Sequence, residues 1–158
     1  MPRKRCTCRR IGAFSVDAID LTIAPPRAPR EELAGIRFLP RSVDKIRATL
    51  PGGKVGEYLI TGLTTVMLDA LGITVHAFTD AVRAAKTDDD IASFVSAHAK
   101  PGGIDAWHRF IDARQPQGGD PDKAIEAYPF LAGRSDFGLS LDVIAEDDRL
   151  FFARGHAD

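Results

Sequence analysis

Apolar residues return along most of this chain at the spacing of a helix. Leu33, Ile36 and Leu39 begin such a run, and Val43, Ile46 and Leu50 continue it at i, i+3 and i+7. Pro40 suits the first turn of that helix, where a missing N–H is harmless, and Pro51-Gly52-Gly53 ends it. A second helical segment runs from Leu63 to Leu71 and stops at Gly72. Thr74 caps a third, carrying Val75, Phe78 and Val82. Thr87 and Asp90 have the spacing of a capping box, with Ile91, Phe94, Val95 and His98 behind them on one face. Another Pro-Gly-Gly, at 101–103, precedes the stripe Ile104, Trp107, Phe110 and Ile111, which reads as core. Asp120-Pro121 starts a short helix that stops before Pro129. Glu57 to Ile60 reads as an extended fragment without an obvious partner. Residues 139–145 fit either period, and a short helix is the better reading.

These elements predict an all-α fold: a single-domain bundle of about five to seven short helices. Residues 23–30, IAPPRAPR, form an extended proline-rich N-terminal strap across it. Residues 1–19 show no sustained periodicity and read as a disordered basic leader, with the domain over 20–152 and a tail at 153–158.

A length of 158 residues fits one domain, and 44% hydrophobic residues suffice for a core. No apolar run approaches the ~20 residues of a membrane helix, and the basic N-terminus lacks an apolar signal region, so a cytoplasmic location is expected. The net charge of -1 argues against a nucleic-acid partner, but the charge is unevenly placed. Residues 27–54 carry seven positive and three negative side chains, residues 78–150 eight and fourteen. Either the two regions neutralise each other within one fold, or the first presents a basic patch.

Cys6 and Cys8 are too few for a zinc site, and His76, His98, His108 and His156 have no ligand spacing, so neither metal nor cofactor is expected. Gly52-Gly53-Lys54-Val55-Gly56 matches no phosphate-loop pattern. The charged run Leu39–Tyr58 carries the chemistry. On a helix, Arg41, Asp44 and Arg47 form a row on one flank, with Asp44 three residues from each arginine and Lys45 on the far side. Asp44 would then pair with Arg41 and Arg47, or orient one guanidinium fork toward a phosphate or carboxylate. Arg27 and Arg30 on the strap are placed to close over the same anion. The leading expectation is a binding or regulatory module for a small anionic ligand held by Arg27, Arg30, Arg41, Asp44, Lys45 and Arg47. The alternatives are an enzyme on a phosphorylated or carboxylated metabolite, with Glu57 or Asp44 as acid–base group and Tyr58 as donor, and a protein-interaction domain.

The same stretch carries a resemblance. Asp20-Leu21-Thr22, Pro25-Pro26-Arg27-Ala28-Pro29-Arg30, Leu33-Ala34-Gly35, Leu39-Pro40-Arg41, Asp44-Lys45, Arg47-Ala48 and Gly56-Glu57-Tyr58 resemble a bacterial family called domain of unknown function 5069. Ala28 departs from its pattern, which has serine there. The likeness continues more weakly to about residue 150. It implies a small, mainly helical bacterial protein and supplies no activity.

Overall fold

The computed structural model describes residues 17–155. The expected basic leader lies mostly outside them. Its last residues are tied to the fold: Lys54 N–H donates to the Ile19 carbonyl at 3.0 Å, and Leu21 N–H donates to the Lys54 carbonyl at 2.8 Å.

Seven α-helices make up most of the described chain, but the fold is not strictly all-α. Strands β1 (Glu32–Leu33) and β2 (Ile36–Arg37) form a small antiparallel hairpin where helical spacing was expected. The cause is local. Ala34 and Gly35 both take positive φ, 54° and 70°, as a two-residue hairpin turn requires. Leu33 and Ile36 then face each other across the ladder. Helix α1 (Leu39–Arg47) follows directly, with Pro40 in its first turn.

Helices α2 (Leu63–Leu71), α3 (Val75–Ala84), α4 (Asp88–His98) and α5 (Gly103–Ala113) fall where periodicity and capping residues predicted. Thr74 caps α3 through the Ala77 N–H, and Thr87 with Asp90 completes the capping box of α4. Helix α5 packs on α2, and α1 packs on α3. At the second Pro-Gly-Gly, Gly102 takes φ 74°, and a Cβ on Gly103 would lie 2.6 Å from the Ala70 carbonyl oxygen. Only glycine lets α5 start this close to the end of α2.

Trp107 is fully buried beside Phe38, and its Nε1 donates to the Arg37 carbonyl at 2.8 Å. Helix α6 (Pro121–Ala127) and a 3-10 turn at Pro129–Leu131 build a smaller cluster around Ala124, Leu131 and Val143. Residues 139–145 resolve as the start of α7 (Ser140–Arg154), a helix longer than expected that extends into the anticipated tail. Glu57 to Ile60 forms no strand. No single helix among the described residues is long and apolar enough to cross a membrane.

Candidate functional site

Helix α1 is polar in sequence yet buried on nearly every side. All eight residues from Leu39 to Ile46 are buried, among them Arg41, Ser42, Asp44 and Lys45. The charged run is thus not a solvated helix face. A charge removed from water is tolerated only when paired, so each buried group on α1 calls for a partner.

Asp44 is matched by the strap. It accepts from the Arg27 N–H at 2.8 Å and from Arg27 Nη2 at 2.7 Å. Pro26 and Pro29 are buried on either side, which holds that arginine in place. Arg27 also pairs with Asp88 at the N-terminus of α4. Arg47 Nη1 reaches the other Asp88 oxygen at 3.0 Å. Burial works against ionisation of Asp88, but Arg27 and Arg47 outweigh it and hold the carboxyl below its ordinary range. Ser42 Oγ meets Thr64 Oγ1 at 3.0 Å and the Phe38 carbonyl at 3.1 Å.

Arg41 turns the other way, toward α7. Its Nη1 and Nη2 donate to the two oxygens of Asp148 at 2.6 and 3.1 Å. Tyr58 donates its hydroxyl to the same carboxylate at 2.8 Å, and the guanidinium lies over the Tyr58 ring, 5.3 Å from its centroid. Burial, then that hydrogen bond, raise the Tyr58 hydroxyl well above its ordinary pKa. The Nε atoms of Arg41 and Arg47 find no hydrogen-bond partner among the described residues.

Lys45 differs from these neighbours. It is 8% exposed, and no carboxylate of the described residues lies within ion-pair distance. Its Nζ sits 5.5 Å from the centre of the Phe38 ring. Phe38 itself takes φ 71°, a left-handed backbone rare for a bulky residue, at the entry to α1. Burial, then repulsion from Arg41, bring the ammonium down to about 8, with Asp148 opposing at longer range.

Arg41, Lys45, Glu57 and Tyr58 line one open cleft of about 650 Å³. Its far wall comes from α7, through Ile144, Asp147, Asp148 and Phe151, with Tyr128 beside it. The expected site is therefore divided. Arg27, Asp44 and Arg47 belong to an ion-pair cluster on another side of α1, and Arg30 pairs at the surface with Asp142 at 2.7 Å. Asp44 does not bridge Arg41 and Arg47, because each of the three has a partner far along the chain. Sequence reasoning missed Asp148, Asp147, Phe38 and Tyr128. The one signal for the acids was the excess of negative charge beyond residue 78, which the basic segment does neutralise. Among the described residues, no group of three or more histidine, cysteine or acidic side chains is placed to hold a metal ion.

Comparison with known families decides the relationship: the description "Domain of unknown function (DUF5069)" matches residues 23–149. The chain belongs to the DUF5069 family. A comparison with curated proteins finds no match. In this DUF5069 domain, one group of charged residues from the N-terminal stretch fastens the strap, α1 and α4 together, another lines the cleft, and Arg30, Arg37 and Lys54 pair elsewhere.

Proposed function

We propose that this DUF5069 domain is a binding or regulatory module for a small ligand bearing a phosphate or carboxylate, and that the ligand's anion pairs with Lys45 in the cleft. The observation that carries the reading is the state of Lys45, a buried cation facing open space with no carboxylate partner among the described residues. Leaving a buried charge uncompensated is costly, and an incoming anion removes that cost. Arg41 has both terminal nitrogens committed to Asp148, which offsets its charge, so Lys45 supplies the free donors. Phe38, Leu59, Ile144 and Phe151 offer apolar surface to the body of an organic ligand.

The test is thermal shift at low salt with phosphate, sulfate, sugar phosphates, nucleotides and short carboxylates, on the parent and on Lys45→Met. A ligand at 100 times its Kd stabilises by ~2.7 kcal/mol. For a domain of this size that is roughly 5–10 °C. The parent should shift and Lys45→Met should not. An absent response to every anion, or an equal response in the variant, would refute the proposal.

A further inference from the structure

Resting on the reading of this cleft as a ligand site, we propose that Lys45 also condenses with carbonyl groups, and that the ligand class is small oxo acids, in which an aldehyde or ketone adjoins a carboxylate. Three observations support this. The amine stands on a buried turn of α1 and not on a mobile surface stem. No carboxylate of the described residues fixes its proton in an ion pair. The neighbouring cation, Arg41, is held against it by Asp148 and Tyr58. A lysine desolvated beside a second cation is an established way to obtain a nucleophilic amine.

The step balances without an oxidant or reductant. Neutral Nζ adds to the carbonyl carbon, forming the C–N bond, while the C=O π electrons move to oxygen, which takes a proton. The nitrogen then gives up a proton and recovers its lone pair, which expels that oxygen as water once the oxygen has taken a second proton. The product is a protonated imine whose positive charge occupies the place of the original ammonium. Water reverses both steps. The groups that share the cleft with Nζ are Arg41 on its own helix, Glu57 and Tyr58 on the segment between α1 and α2, Tyr128, and Asp147 and Asp148 on α7. With the amine at about 8, roughly one Lys45 in ten is neutral at pH 7, against fewer than one in a thousand for an ordinary lysine.

The two uses of Lys45 have opposite pH signatures. Anion pairing needs the ammonium and weakens above pH 8, whereas condensation needs the free amine and speeds up toward it. The experiment treats the full chain with glyoxylate and cyanoborohydride from pH 6 to 9 and maps carboxymethyl lysine by peptide mass spectrometry. Glycolate, the same acid without the carbonyl, serves as competitor and as thermal-shift ligand. The expected result is an adduct at Lys45 at least about tenfold above that at Lys54, Lys86, Lys100 or Lys123. Its rate should rise toward pH 8, and glycolate should suppress it. Even labelling of all lysines, or an unlabelled Lys45, overturns the proposal, and this holds on the parent chain whether or not a Lys45 variant folds. A Lys45-dependent glycolate shift without glyoxylate labelling leaves the anion site standing and removes the condensation. Labelling at Lys45 that no anion suppresses removes the anion site instead.

Discussion

Lys45 is a charge held where water cannot fully solvate it, and stability should record that. Its folded pKa lies below the unfolded value, so the unfolded chain binds the extra proton between pH 8 and about 10.5, and stability rises with pH across that window. Below pH 8 the penalty is present in full, at about 3 kcal/mol. Lys45→Met keeps the volume and removes the charge. It should be more stable than the parent by about that amount at pH 7, with the gap closing by pH 10.5, as chemical denaturation at several pH values will show. A variant no more stable at pH 7 would mean that the ammonium is solvated through the cleft. Arg41 responds in the opposite sense. Asp148→Asn leaves its guanidinium buried without a counter-charge and should cost about 3–5 kcal/mol, a melting drop of roughly 6–20 °C.

Among elements, α4 is ion-paired to both α1 and the strap by one carboxylate. Asp88 binds Arg27 and Arg47 and also stands in the first turn of α4, where the helix dipole favours a negative charge. The group is partly exposed, so Asp88→Asn should cost about 1–2 kcal/mol and not the full value of a buried pair. Because the folded pKa of Asp88 is depressed, its contribution is present above the ordinary carboxylate value and lost as pH falls through the folded one. The deficit of the asparagine variant should therefore be full near neutrality, begin to shrink as pH falls through about 4, and vanish only below the depressed folded value. The hairpin offers a change in the other direction. Ala34 occupies a positive-φ position that asparagine accepts more readily, so Ala34→Asn should raise stability by about 0.5–1 kcal/mol. No gain in a melting comparison would show that the turn is unstrained.

At the scale of the whole molecule, what could be read from the sequence divides along contact range. The α2 to α5 segments were legible because each is specified locally, by a 3.6-residue apolar period and by capping residues such as Thr74, Thr87 and Asp90. The hairpin was missed because Leu33, Ile36 and Leu39 fit a helical period equally well, and nothing about Ala34 announces a positive φ. Half of the cleft was visible, since Arg41, Lys45, Glu57 and Tyr58 lie within one charged stretch. Its other wall comes from α7, 107 residues beyond Arg41, and no local pattern pairs an arginine with an acid at that distance. The same limit hid the partners of Asp44 and Arg47, and with them the difference between residues that fasten the fold and Lys45, which has no carboxylate partner among the described residues.

That long pairing sets an order in time. On the ribosome, α1 emerges well before α7, and at ~5–20 residues per second the interval between Arg41 and Asp148 is roughly 5–20 s. Throughout it, burying α1 would strand a guanidinium without a counter-charge, so the helix that ends at the centre of the molecule has to wait in water. The intervening helices carry most of their own specification and are free to associate meanwhile. Nascent chains arrested before residue 140 should therefore show α2 to α5 protected from proteolysis while the segment around Arg41 is still cut, with protection of that segment appearing only once Asp148 has cleared the exit tunnel.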